Sequence, residues 1–275
     1  MLKSKLKKLL SFLLHGKQRP VYAKITCIDP SNKLKGKKIV VTGGGRGLGA
    51  SMAEKFVKEG AYVLIAGRNE SVLKTTADKI GCQYLTLDVS DVYTFDNFIN
   101  KAEEMLGGIT SLVNNAGISL HEKTFFDVTP DTFDAQVNTN MKGAFFLTQK
   151  VIKFWKEKNI KGEVLFISSE TGDMMDFRPY GFTKVAINSM VQGLAYLFAK
   201  DQIRINAVAP GVTVSDMTGQ GIDGNISHPR NLLGRVYLPE EVAETACFLL
   251  SEAAGCISGQ IITCNNAKSV NARWK

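Results

Sequence analysis

From Lys37 onward, short runs of β-branched and apolar residues alternate with longer stretches in which apolar positions recur at helical spacing. The apolar runs fall at residues 38–42, 62–66, 83–88, 111–114, 163–168, 204–208 and 260–264. The helical stretches fall at 47–59, 70–80, 92–106, 130–155, 180–199 and 239–251. Within the runs apolar residues follow one another directly, the pattern of strands covered on both faces. Regular strand–helix alternation predicts one α/β domain over residues 37–275, a doubly wound parallel sheet of about seven strands with helices on both faces. Right-handed crossovers bring the carboxyl end of every strand to one edge, where ligands collect.

Residues 1–36 follow another rule. Leu2, Leu6, Leu9, Leu10, Leu13 and Leu14 recur at helical spacing, with Lys3, Lys7 and Lys8 mostly off that stripe, until Gly16 and Pro20 end the pattern. The apolar part, 9–14, is short for a secretory signal and contains Ser11. Three readings of this basic amphipathic extension stay open. Residues 2–19 rest weakly on an anionic membrane, pack on a neighbouring subunit, or form a solvated extension.

Composition sharpens the division. The chain has 275 residues, 44% hydrophobic and 22% charged, enough to bury a full core. Its net charge of +8 is uneven: residues 1–38 hold eleven of the 34 Lys/Arg and one of the 26 Asp/Glu, leaving 23 against 25 elsewhere. The body therefore has no basic excess for holding nucleic acid. Five cysteines without a Cys-x-x-Cys spacing argue against a disulfide framework and a zinc site, and three scattered histidines against a catalytic metal. A reduced, cytoplasmic setting is expected, peripheral at the inner membrane face if the extension binds lipid. No apolar run approaches the roughly 20 residues that cross a bilayer.

Two segments carry chemistry. Thr42-Gly43-Gly-Gly45-Arg46-Gly47-Leu48-Gly49 follows the first apolar run and opens the first helix. Gly43 permits a tight turn, Gly47 lets a pyrophosphate approach, and Gly49 lets helix and sheet lie close; the helix start offers free N–H groups to phosphates. At the end of the second run, Ile65-Ala66-Gly67-Arg68-Asn69, no acid waits for a ribose 2′-hydroxyl. Arg68 stands there instead, with Arg46 in the glycine turn, so a 2′-phosphate and NADP(H) are favoured over NAD(H). Downstream, Tyr180 and Lys184 are four apart and share a helix face, with Ser168 and Ser169 at the end of an apolar run. A neighbouring ammonium and a cationic nicotinamide ring would lower the phenol pKa, making Tyr180 a general acid for carbonyl reduction and base for alcohol oxidation. Lys184 can also hold the nicotinamide ribose, and Ser169 or Ser168 the reacting carbonyl oxygen.

In this order the motifs resemble the short-chain dehydrogenase/reductase family, in its branch of about 250 residues with a Tyr-x-x-x-Lys active site. The resemblance spans Lys37 to Asn265. It rests on the glycine turn, Asp88-Val89, Asn114-Asn-Ala116-Gly117, Asn140-Met-Lys-Gly143, Ser168-Ser169, Tyr180-x-x-x-Lys184 and Asn206-x-x-x-Pro210-Gly211. It implies a single Rossmann-like sheet and hydride transfer between the nicotinamide and a small-molecule carbonyl or alcohol. It further implies that Asp88 and Val89 line the adenine pocket, and that Asn114, Ala116 and Gly117 shape the cleft. Asn140 would anchor a water relaying protons to Lys184; Pro210, Gly211 and Val212 would border the nicotinamide, and Ser215 its carboxamide or the phosphates. A homodimer or homotetramer is expected.

The chain departs from the family pattern twice. Ser169 precedes Tyr180 by 11 residues, a short interval, and the last strand ends Thr263-Cys264-Asn265-Asn266-Ala267 in place of Asp-Gly-Gly. The segment from Thr213 to Arg235 suits a lid. Met174, Met175, Phe177 and Met217 read equally as an apolar substrate wall or as ordinary core or interface residues, and Asp173, Asp176 and Arg178 as readers of polar substituents. Two further classes, a non-catalytic nucleotide-binding scaffold and a membrane-recruited adaptor, are weighed against the enzyme.

Overall fold

In the computed structural model, which describes residues 32–221, 224–229 and 231–270, every predicted apolar run pairs into one sheet. The strands are Lys38–Thr42 (β1), Tyr62–Gly67 (β2), Gln83–Thr86 (β3), Ser111–Asn114 (β4), Glu163–Ile167 (β5), Arg204–Pro210 (β6) and Ile261–Cys264 (β7). Their order is β3-β2-β1-β4-β5-β6-β7, parallel throughout. The helices are Gly47–Lys58 (α1), Glu70–Ile80 (α2), Phe95–Leu106 (α3), Pro130–Val137 (α4), Ala144–Lys158 (α5), Pro179–Phe198 (α6) and Pro239–Leu250 (α7). No helix among the described residues is long and apolar enough to cross a membrane.

Successive strand residues point to opposite faces, and both faces are covered. Ile39 and Val41 of β1 join Met52 and Phe56 of α1 and Ala246 and Leu250 of α7 in one core cluster. Val40 joins Phe98 of α3, Leu147 and Trp155 of α5 and Val191 of α6 in the other. Leu34 is fully buried in the first cluster. Residues 2–19, and with them the predicted amphipathic helix and its membrane contact, lie outside the described residues.

The chain runs outward from β1 to β3 and then returns to β4. The sheet therefore reverses direction between β1 and β4, and a crevice opens above their carboxyl ends.

Three elements differ from the sequence pattern. The run at 83–88 stops at Thr86, because Asp88 Oδ1 turns back to accept the Ser90 amide at 2.9 Å. The stretch at 92–106 begins with a 3₁₀ turn, Val92–Thr94, ahead of α3. The continuous helix predicted over 130–155 is interrupted by a π-helical segment, Asn138–Gly143, between α4 and α5. There Gly143 lies against the Val89 backbone carbonyl so closely that a Cβ would collide with it. Such single-turn π segments concentrate at functional sites.

Candidate active site

The glycine turn leaves β1 with Gly43 at φ +65° and Gly47 at +54°. A Cβ at Gly43 would lie 2.9 Å from Ala116 Cα, and one at Gly49 would collide with the Gly43 carbonyl and the Asn115 amide. The turn is tied down from two sides. Thr42 Oγ1 accepts the backbone N–H groups of Asn115 and Ala116 at 3.1 Å each, and Thr76 Oγ1 donates to the Gly45 carbonyl at 2.7 Å. Leu48 packs on the core behind it. Helix α2 is capped by Asn69 and carries Glu70 in its first turn, whereas α1 has neither a side-chain cap nor an acid there. Its first N–H groups and positive dipole end are thus left for an anion, and the bare Gly47 is the cradle a phosphate needs. Ser215 faces Gly47 across the crevice, its Cβ 3.7 Å from where a Gly47 Cβ would stand.

Asn115 escaped the sequence reading. Its Nδ2 donates to the carbonyls of Thr42 at 2.9 Å and Gly43 at 3.1 Å, stitching β4 to the turn. Its neighbour Asn114 sends Nδ2 to Thr148 Oγ1 at 2.8 Å, into the core beneath α5.

At the adenosine end, Arg68 follows β2 and faces Asp88, Thr94, Asn97 and Lys101 around a cavity of about 430 Å³. Burial alone would raise the Asp88 pKa, but hydrogen bonds from Ser90 and the Arg68 charge outweigh it and hold the carboxyl below its ordinary value. Arg46 is exposed and pairs with Asp216 of the 213–235 segment, Nη1 to Oδ2 at 3.2 Å. On the other flank of that segment, His121 Nε2 meets the Met217 carbonyl at 2.6 Å. His121 has φ +54°. Both contacts pin the segment over the crevice, and neither was legible in the sequence.

Ser168 and Ser169 follow β5, and extended backbone sends their side chains to opposite sides. Ser168 Oγ donates to Asn188 Oδ1 at 2.6 Å, inside the fold. Ser169 Oγ accepts the Thr171 amide at 3.2 Å and faces the Tyr180 phenol. Pro179 opens α6, putting Tyr180 in the first turn and Lys184 one turn on. Lys184 is buried; its Nζ donates to the Ile167 carbonyl at 2.8 Å and lies 5.4 Å from the Tyr180 ring centroid. Gly117 abuts Asn140, whose Oδ1 accepts the Ile118 amide at 2.8 Å while Nδ2 donates to the Ile118 carbonyl at 2.9 Å and Thr183 Oγ1 at 3.3 Å. Asn140 thereby joins the loop after β4 to the helix bearing Tyr180.

The protein's own groups do not supply the lowering expected at Tyr180, which leaves it to the nicotinamide ring. With the protein's own groups, the Tyr180 pKa is raised, not lowered: burial dominates, Ser169 and Arg178 oppose it, and Asp176 and Glu170 reinforce it. Burial also brings the Lys184 amine down to about 8. An ammonium directed at the Ile167 carbonyl, and not at the phenol oxygen, gives the phenol little help.

Around the mouth, Met174, Phe177 and Met217 are each about 40% exposed and Met175 fully so, which removes the core reading of these residues and leaves the substrate-wall and interface readings. Arg178 and Asp176 are paired with each other, Nε to Oδ1 at 2.8 Å and Nη2 to Oδ2 at 2.7 Å. Pro210 and Gly211 leave β6 beside Tyr237, Val212 accepts the Tyr237 amide at 2.9 Å, and Val89 follows β3 under the π segment. Among the described residues no three His, Cys, Asp or Glu side chains cluster as metal ligands.

Comparison with known proteins agrees with this fold. A family model described as enoyl-(acyl carrier protein) reductase matches residues 43–266. An L-rhamnose 1-dehydrogenase (NADP⁺) of Thermoplasma acidophilum is 32% identical over 250 residues, covering 86% of this chain and 98% of that protein. A 3-oxoacyl-(acyl-carrier-protein) reductase of Aquifex aeolicus is 34% identical over 248 residues, covering 85% and 97%. The crystal structure of a 3-ketoacyl-(acyl-carrier-protein) reductase from Brucella melitensis, complexed with NADH, superposes with a TM-score of 0.80 at 29% identity, covering 86% of this chain and all of that one.

Proposed function

Since the chain belongs to the short-chain dehydrogenase/reductase family, an enzyme family acting on CH–OH and C=O groups, we propose that it transfers hydride between NADP(H) and a ketone or secondary alcohol, with Tyr180 as general acid/base. The observation that carries this reading is the meeting of Ser169, Tyr180 and Lys184 on the sheet edge that also bears the glycine turn.

The bound nicotinamide supplies or accepts the hydride. Gly43, Gly47 and the open start of α1 receive the pyrophosphate, with Thr42, Gly45, Leu48 and Gly49 holding the turn in shape. Asp88 and Val89 border the adenine, Ala116 and Gly117 shape the cleft, Pro210, Gly211 and Val212 border the nicotinamide, and Ser215 meets its carboxamide or the phosphates. Ser169 donates a hydrogen bond to the substrate oxygen, fixing it beside the phenol. Tyr180 gives its proton to that oxygen in reduction and takes it back in oxidation. Lys184 holds the ribose and passes a proton to the phenol, and a water on Asn140 relays the replacement proton to Lys184. The segment over the crevice keeps bulk water out.

The preference for NADP(H) rests on Arg46 and Arg68, with no acid between the end of β2 and Glu70. Family membership does not decide it: the Thermoplasma relative is named for NADP⁺, and the Brucella structure holds NADH. Met174, Phe177 and Met217 suit a substrate with an apolar body beside its carbonyl. Phe145 and Phe146 of α5 and Phe182 and Val185 of α6 stay 36–49% exposed, which supports burial between subunits of a homodimer or homotetramer. A pure scaffold would have no use for Asn140, Ser169, Tyr180 and Lys184 together.

The test is NADPH consumption over a panel of ketones, with NADH in parallel. Wild type turns over and favours NADPH, and Tyr180→Phe loses roughly 10²- to 10⁴-fold in kcat while still binding NADPH. Equal turnover by Tyr180→Phe removes the acid/base assignment; equal kcat/KM with NADH removes the cofactor preference.

A further inference from the structure

Beyond β7 the chain turns back toward the active site. Asn266 and Ala267, at φ +51° and +66°, both take the left-handed conformation that side chains rarely adopt. The turn delivers Lys268 to Glu170, Nζ to Oε1 at 2.6 Å, across 98 positions of sequence. Asn265 Nδ2 donates to the other oxygen, Oε2, at 3.2 Å and to Ser269 Oγ at 2.9 Å. Glu170 is 5% exposed and directly follows Ser169. It begins the 3₁₀ turn Glu170–Asp173, whose first amides are held by Ser169: Thr171 N–H by Oγ at 3.2 Å and Gly172 N–H by the carbonyl at 2.9 Å. Gly211 closes the corner, since a Cβ there would lie 3.1 Å from Glu170 Oε2.

We infer that Lys268 is a positioning residue of the active site: by pinning the buried Glu170 carboxylate, the segment after the last strand fixes Ser169 against the Tyr180 phenol. A carboxylate at this depth stays put only while a cation and hydrogen-bond donors satisfy it. Without Lys268, Glu170 turns outward and takes the Ser169–Asp173 turn with it. The effect falls mainly on chemistry: Glu170 borders the cofactor site through Gly211 on its nicotinamide side, whereas the glycine turn that receives the pyrophosphate packs on Asn115 and Ala116 instead. The inference rests on the oxidoreductase reading above only for its kinetic arm.

The experiment compares Lys268→Met, Lys268→Arg and the double variant Lys268→Met/Glu170→Gln. Lys268→Met lowers kcat roughly tenfold to a hundredfold, since sub-ångström placement of the substrate-binding hydroxyl is lost, while KM for NADPH stays within about twofold. Lys268→Arg retains most activity. The double variant regains much of it, because a neutral amide needs no cation. Hydrogen exchange, which needs no substrate, shows faster exchange at the amides of Thr171, Gly172 and Met174 in Lys268→Met and wild-type exchange in Lys268→Arg. Wild-type kcat in Lys268→Met overturns the inference whichever way exchange moves. So does a double variant no better than the single one, and this arm also decides the case in which Lys268→Met alone fails to fold. If wild type turns over no substrate, the oxidoreductase reading is what fails, and the exchange comparison alone decides whether Lys268 positions the turn.

Discussion

Lys184 and Tyr180 meet ring to amine, not oxygen to amine: Nζ stands 5.4 Å from the ring centroid and spends its hydrogen bond on the Ile167 carbonyl. A lysine buried this way carries its charge at a cost, and its pKa falls to about 8. The unfolded chain holds that proton up to about 10.4, so between these values the unfolded state binds more protons and stability rises with pH. Below about 8 the burial penalty is present in full. Urea unfolding of wild type and Lys184→Met at pH 7.5, 9 and 10.5 isolates this group. Wild type gains about 3 kcal/mol on the variant across that range. A flat difference would mean that the amine is solvated in the folded protein.

Asp216 competes for Arg46. The pair is exposed, so its direct worth to stability is under about 1 kcal/mol, and less in salt. A 2′-phosphate carries more charge and would draw the same guanidinium. Asp216→Ala therefore tightens NADPH binding several-fold, leaves NADH binding unchanged and leaves Tm within a degree or two. Arg46→Ala acts in the opposite sense. Titration of both cofactors by intrinsic fluorescence reads the result, and an equal effect on NADPH and NADH would remove Arg46 from the 2′-phosphate site.

Gly49 and Gly193 should respond oppositely to alanine. At Gly49 a methyl group meets the Gly43 carbonyl and the Asn115 amide, both fixed by the Thr42–Asn115 stitching. Gly49→Ala must push α1 off the sheet, at a cost of roughly 1–3 kcal/mol and with loss of cofactor affinity. Gly193 sits inside α6 with nothing within 4 Å of its Cβ position. Gly193→Ala gains about 1 kcal/mol from helix propensity alone. Thermal unfolding of both variants gives the signs, and a stable Gly49→Ala would show that the turn has room to spare.

What the sequence revealed, and what it hid, divides by the range of the interactions. The bounds of β1, β4 and α2 could be read to the residue, since consecutive apolar positions and the Asn69 cap act within a few residues. The glycine turn and the Tyr180–Lys184 spacing are equally local. The break at Asn138–Gly143 is not, because it answers to the Val89 carbonyl, far away in sequence. Asn115, His121 and Lys268 were missed for the same reason: their partners Thr42, Met217 and Glu170 lie 73, 96 and 98 positions away. The sign of the Tyr180 shift also depends on depth, which no motif spacing encodes.

The two serines after β5 separate structure from chemistry. Ser168 is buried, and its hydroxyl answers Asn188 Oδ1 at 2.6 Å; removing it strands a polar atom between β5 and α6. Ser169 turns the other way, toward the phenol. Ser168→Ala should cost roughly 1–2 kcal/mol of stability, by loss of one buried hydrogen bond, and keep kcat within a few-fold. Ser169→Ala should lower kcat about 10²-fold, the usual worth of one donor to a reacting oxygen. Its stability loss should be about 1 kcal/mol, since one hydrogen bond, from the half-buried Thr171 N–H, is lost. Urea melts and single-turnover rates on the same two proteins read both quantities. If the kinetic loss followed Ser168, the backbone at the end of β5 would have to be rotated by one residue, and with it the side of the strand that faces substrate.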